Sequence, residues 1–158
     1  MLVVTLILGA GTVLAQDFQR GVDAYNAGDY TTALKDLKPL AGQGDTNAQS
    51  YLAWLYEAGG NGVTQDFKEA MKWYRQAAKQ GDANAQLLLG NMYEFGKGAN
   101  QDNILAHMWF SLAVKNGEEL VGVIRKNAIE RDLTSVELAK AQSMAEECMS
   151  SNFKNCGY

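Results

Sequence analysis

Residues 44–59 read GDTNAQSYLAWLYEAG, and residues 81–96 read GDANAQLLLGNMYEFG. The two stretches differ mainly at Ser50/Leu87, Tyr51/Leu88, Ala53/Gly90, Trp54/Asn91 and Ala58/Phe95. Gly44, Gly81 and Gly117 stand 37 and then 36 residues apart. Self-similarity at this period constrains the fold more than any other feature of the chain. It marks a solenoid of helix pairs, in which one pair leaves an apolar face that only the next pair covers.

Each copy reads as helix, loop, helix. Asp45 and Asp82 suit the N-cap of the first helix, because a carboxylate there accepts from an otherwise unpaired backbone N–H. Gly59 and Gly96 are placed to close it in the left-handed conformation. Asp66 followed by Glu69 predicts a capping-box start for the second helix. From there Phe67, Ala70, Met71, Tyr74, Ala77 and Ala78 fall on one apolar stripe. Alignment of 47–81 with 84–117 needs one inserted residue, in the GGNGV/GKGA loop. The matched positions include Ala48/Ala85, Leu52/Leu89, Tyr56/Tyr93, Glu57/Glu94, Trp73/Trp109 and Tyr74/Phe110. The recurring aromatics are expected in the core, packing one pair on the next.

A degenerate unit precedes these copies, patterned by Gly21, Ala24, Tyr30, Ala33, Leu37 and Leu40. After Gly117 two further helices are expected. The first would bury Leu120, Val121, Ile124 and Ala128. The second starts at a Thr134/Glu137 capping box and would bury Leu138, Ala141, Met144 or Ala145, and Cys148. Such an atypical terminal unit shields the last apolar face of a solenoid.

The pattern carried by Ala48, Leu52, Ala53, Tyr56, Gly59, Gly62, Val63, Asp66, Ala70, Trp73, Tyr74, Ala77, Ala78 and Gly81 resembles the Sel-1-like repeat, a cousin of the tetratricopeptide repeat. The second copy departs from it at Ala99, where the pattern has valine, and at Val114, where it has alanine. The resemblance covers residues 47–117. It implies an all-α, right-handed α-α superhelix that makes protein–protein contacts, and it implies an adaptor or regulator of the bacterial envelope rather than an enzyme. The expected organisation is a signal peptide over 1–15, a tetratricopeptide-like helix pair over 16–44, two repeats over 45–117, and capping helices with a cysteine-bearing tail over 118–158. Some cysteine-rich members carry a pair of cysteines with seven residues between; here that spacing occurs once, in the tail.

The N-terminus, MLVVTLILGAGTVLAQ, is uncharged and apolar, with Val13 and Ala15 at the −3 and −1 positions of a cleavage site. Gln16 would then be the mature N-terminus, and the protein would be periplasmic or secreted. No lysine or arginine precedes the run, which fits a start a few codons upstream. The run is too short for a membrane span of ~20 apolar residues. A buried N-terminal helix is the alternative. Export makes a Cys148–Cys156 disulfide plausible, provided that the last helix stops near 149–152 and the tail folds back; two free thiols are the other reading.

Fourteen basic and eighteen acidic side chains give a net charge of −4 with no basic stripe, so nucleic acid is not an expected partner. His107, the one histidine, falls on an apolar stripe and is expected to be packed and hydrogen-bonded. No cysteine, histidine and carboxylate spacing suits zinc or calcium, and no cofactor motif is present. The stretch SNFK, 151–154, matches the serine–lysine spacing of penicillin-recognising enzymes. It lacks their companion motifs and sits between two cysteines, so a cell-wall or β-lactam enzyme is the weaker alternative; a structural, weakly homo-oligomeric module is another. The glycine loops are explained by turn geometry.

The leading expectation is a protein or peptide partner bound on a concave surface formed by the first helices. Spacing along these helices puts Ser50, Trp54 and Glu57 on that face in one copy, and Leu87, Asn91 and Glu94 in the other. Trp54 is either a binding residue, tryptophan being enriched at interface hot spots, or a packing residue against the neighbouring first helix.

Overall fold

The computed structural model describes residues 5–156, with side chains from Ala15 onward. Eight α-helices occur among them, with a lone Gly60–Val63 bridge in place of any strand. They fall into two compact units that part at Asp66/Phe67, between the two helices of the first repeat.

The first unit holds α1 (Thr5–Asn26), α2 (Tyr30–Gly42) and α3 (Thr46–Ala58). α2 packs on both of its neighbours. Ala33, Leu37, Leu40, Ala48 and Leu52 are buried. Gly21 lets α1 approach closely, since a Cβ there would run into the side chain of Leu37. Arg20 ties the same two helices by donating to Asp36 at 2.6 Å, which holds the Asp36 carboxyl below the usual carboxylate range. α1 runs unbroken across the expected cleavage point after Ala15. The rest of the expected signal segment, residues 1–4 and the side chains of 5–14, lies outside the described residues.

The second unit holds α4 (Phe67–Ala78), α5 (Ala83–Phe95), α6 (Asn103–Lys115), α7 (Glu119–Glu130) and α8 (Ser135–Ser150). α4 packs on α5 and α5 on α6; α6 carries both α7 and α8. Tyr74, Tyr93, Trp109 and Phe110 are buried as expected, whereas Tyr56 and Trp73 are half-buried. The Trp73 indole N–H donates to Glu69 at 3.0 Å. Gly90 is explained by Phe110, whose ring lies where a Cβ would stand.

Helix ends follow the expected chemistry. Asp45 accepts from the Ala48 N–H at 2.8 Å and Asp82 from the Ala85 N–H at 2.7 Å. Thr134 and Glu137 form a full capping box. Gly96 closes α5 in the left-handed conformation. Gly59 keeps a positive φ, 63°, but its ψ of −168° is extended rather than left-handed. The longer loop that follows accounts for this: Gly60 and Val63 exchange two backbone hydrogen bonds, so the chain leaves α3 already extended. That loop is held by Asn61, which donates to Gly28 O, and by Thr31, which donates to Asn61 O.

Two buried glutamines occupy equivalent positions. Gln49 donates its side-chain N–H to Ala41 O at 3.0 Å, and Gln86 donates to Ala78 O at 3.0 Å. Each thus reaches back from a first helix to one of the last carbonyls of the preceding helix, a group that lacks an intrahelical partner. Gln86 Oε1 in turn accepts from Asn116 at 2.8 Å.

α7 corrects the expected packing. Leu120, Val121, Ile124 and Ala128 face outward, with Leu120 76% and Ile124 59% exposed. Gly122 and Ile129 are buried instead. The inward face is selected by close approach and by polar bonds. A Cβ at Gly122 would press on Val114, while Arg125 and Glu130 on the same side bond to Glu94 and His107. In α8 the buried residues are Ala141, Ala145 and Cys148, so Ala145 rather than Met144 takes the core position.

Gln86→Leu should leave the Ala78 carbonyl and the Asn116 amide without their buried partner. The expected loss is about 1–3 kcal/mol, read as a lower midpoint in urea unfolding with an unchanged slope.

Candidate functional site

Trp54 stands in a cluster of rings drawn from three helices. Tyr25 of α1 lies 4.8 Å from Trp54 between centroids at 71°. Tyr30, at the start of α2, lies 5.6 Å from Trp54 at 88°. Tyr25 and Tyr30 are near parallel, 26° apart. Tyr51 meets Tyr25 edge-on at 5.0 Å, and Phe18 meets Tyr51 at 6.1 Å. Edge-to-face pairs of this kind add ~0.5–1.5 kcal/mol each beyond area burial. All five rings remain half-buried. Both readings of Trp54 therefore hold together: it packs against the preceding first helix and still presents surface. Ser50 and Glu57 are half-buried on the same helix. Burial raises the Tyr25 phenol, assisted by the neighbouring Tyr30 and Tyr51, so its ring stays neutral at ordinary pH.

The equivalent face of the second repeat is filled from within. Leu87 is 8% exposed. Arg125 of α7 donates to Asn91 at 3.1 Å and to Glu94 at 2.5 Å, and its guanidinium lies 5.2 Å from the Phe95 ring centre. Burial raises the Glu94 carboxyl more than Arg125 lowers it. Of the six expected groove residues, Ser50, Trp54 and Glu57 thus share the first unit with the ring cluster. Asn91 and Glu94 are taken up by the chain's own arginine.

His107 is buried, with Nε2 2.9 Å from Glu130 Oε1. Lys126 donates to the same carboxylate oxygen at 3.1 Å. These bonds, first that of His107 and then that of Lys126, hold the Glu130 carboxyl below its usual range. Ser111 lies one turn along α6 and completes a serine, histidine, acid row, but not an activated nucleophile. Its hydroxyl donates to His107 O at 2.9 Å and stands 3.5 Å from Nδ1, outside the ~2.6–3.2 Å reach of a nucleophile–base pair. The row links α6 to α7.

Cys148 and Cys156 form a disulfide with Cα atoms 4.5 Å apart. α8 stops at Ser150, and the chain turns back through Asn152 and Phe153, both at positive φ. The Ser151 hydroxyl donates to Cys148 O and accepts from the Asn155 N–H. The serine of SNFK is thus engaged in the tail turn. Among the described residues no group of three histidine, cysteine or carboxylate side chains could hold a metal, and no helix is long and apolar enough to cross a membrane.

The family model for the Sel1 repeat matches residues 46–82 and 83–118. A Sel1 repeat protein from Oxalobacter formigenes is 32% identical, with a TM-score of 0.63 over 73% of this chain and 88% of its own. The chain belongs to the Sel1-repeat family. The structure of c5321, a protective antigen of uropathogenic Escherichia coli strains displaying an SLR fold, matches with a TM-score of 0.81 and 27% identity. That match covers 89% of this chain but 31% of c5321, so the chain spans about a third of that relative's length. No curated protein is significantly similar. The expected fold class, an all-α solenoid of helix pairs, is the one these relatives share.

Sel1 repeats mediate protein–protein contact, and their relatives are generally non-catalytic. In this family member the ring cluster is spread over three helices, and only Tyr51 and Trp54 lie within a repeat. Its sequence signal is the replacement of both by Leu88 and Asn91 in the second copy.

The depressed Glu130 carboxyl makes a pH-dependent contribution. A group lowered on folding stabilises fully above its unfolded value, ~4.3, and loses that contribution as pH falls through the lower folded value. Glu130→Gln should therefore melt at a lower temperature than the parent at pH 7. Its melting temperature should also change less between pH 5 and pH 3, as followed by circular dichroism.

Proposed function

We propose that the chain is a non-catalytic adaptor of the bacterial envelope that holds a protein or peptide segment on the face bearing Ser50, Trp54 and Glu57. One observation carries this reading: five half-buried aromatic rings meet at Trp54, on a fold whose family mediates protein contact. Rings fixed by their neighbours present large apolar area with little entropy left to lose, the condition under which tryptophan and tyrosine become hot spots. Leu87, Asn91 and Glu94 serve the scaffold in this reading, being engaged within the second unit.

Export past the cytosol is part of the proposal. It is supported by the Cys148–Cys156 disulfide, since such bonds persist outside the reducing cytosol, and by the Val13/Ala15 pattern. Cleavage would free the chain from Gln16. N-terminal sequencing of protein recovered from the periplasm or medium should begin at Gln16; an intact Met1 terminus there would reject the cleavage.

The binding face is tested by photo-crosslinking in the native envelope followed by capture. Trp54→Ala with Glu57→Ala should remove a partner that the parent chain captures. An identical set of partners at identical yield would place binding elsewhere.

A further inference from the structure

We propose that the surface around Trp54 takes a partner segment that presents lysine or arginine side chains. The inference rests on the peptide-holding role above and adds the chemistry of what is held.

The charge of the chain is divided unequally. Residues 17–66 carry seven acidic side chains and three basic ones, whereas residues 67–158 carry eleven of each. The whole net charge of −4 therefore belongs to the unit with the ring cluster. Of its three cations, Arg20 is committed to Asp36 at 2.6 Å and Asp17 at 3.1 Å. Glu57 stands three residues beyond Trp54, the spacing of neighbours on one helix face, and Asp29 precedes Tyr30 in sequence.

The rings of the two units are treated differently. In the second unit half-buried and exposed rings have a cation of the chain beside them: Lys72 at Trp73 (5.2 Å), Lys97 at Phe67 (5.4 Å) and Arg125 at Phe95 (5.2 Å). In the first unit, among the described residues, no lysine or arginine lies over Phe18, Tyr25, Tyr30, Tyr51 or Trp54. A ring face carries partial negative charge and attracts a cation within ~6 Å. The cluster is thus an aromatic surface on an acidic unit without the cation that comparable rings elsewhere in the chain receive. A basic side chain from a partner satisfies the rings and the excess negative charge together. An acidic segment would meet like charge, and a purely apolar one would leave the charge uncompensated.

The test uses the full chain and three labelled probes, acetyl-(Gly-Arg)4-amide, acetyl-(Gly-Ser)4-amide and acetyl-(Gly-Glu)4-amide, with binding read by fluorescence anisotropy at low and high salt. The arginine probe should bind, weaken as salt rises, and outbind both others at least ~10-fold. Trp54→Leu should weaken it about fivefold, the size of a ~1 kcal/mol cation–π contact. Glu57→Gln should weaken it at low salt. Trp54→Phe, which keeps an aromatic ring, should fall between the parent and the leucine variant, and circular dichroism checks that each variant is folded. Equal binding of the arginine and serine probes would overturn the basic preference and leave the peptide-holding role standing. Arginine binding that is indifferent to both Trp54 substitutions would reduce to general charge attraction and overturn the site. No arginine binding at millimolar probe also overturns it, while the crosslinking experiment separately decides the adaptor role.

Discussion

The side-chain amide of a buried glutamine fixes how one helix pair meets the next. Gln49 and Gln86 each donate to a carbonyl eight residues earlier, at the end of the preceding helix. That carbonyl has no partner within its own helix, and burying it unpaired would cost about 1–3 kcal/mol. The bond does more than satisfy it. With an Asp N-cap one turn earlier, it sets both the start of the following helix and its rotation about its own axis. The faces of α3 and α5 follow from that rotation, including which residues reach the core and which stay at the surface.

On this common frame the two copies have diverged in what their surfaces do. In the first, Tyr51 and Trp54 join rings from α1 and α2 and remain half-buried. In the second, Leu88 and Asn91 stand at those positions, and Arg125 takes up Asn91 and Glu94. Glu94 is repeated as Glu57, and its repetition marks different uses: one carboxylate pairs with an arginine of α7, the other lies beside Trp54 in sequence register. Charge follows the same division, with the acidic excess confined to residues 17–66.

The repeat period, the caps at Asp45, Asp82 and Thr134, and the buried positions of α4 were legible in the sequence because each is a local rule written twice or in full. The tail was legible too, since only a helix stop near residue 150 lets Cys148 meet Cys156. The face of α7 was not. Its aliphatic residues outnumber its polar ones on the side that periodicity selects, yet Gly122 and the bonds of Arg125 and Glu130 turn the opposite side inward. Close approach at a glycine and ion pairs with distant residues leave no periodic trace. The ring cluster was hidden for a similar reason, since Phe18, Tyr25 and Tyr30 come from the degenerate unit, and their proximity to Trp54 is a product of folding.

Gly90 gives the two repeats a property that their similarity conceals. Its counterpart, Ala53, is a buried position that tolerates a methyl group, whereas at Gly90 the Phe110 ring occupies the space of that methyl. The copies share a blueprint without being interchangeable parts. A segment lifted from the first into the second would carry its alanine into the Phe110 ring and bring a tryptophan where Arg125 expects an amide. Duplication at this locus has become division of labour, with each copy now fitted to its own neighbours.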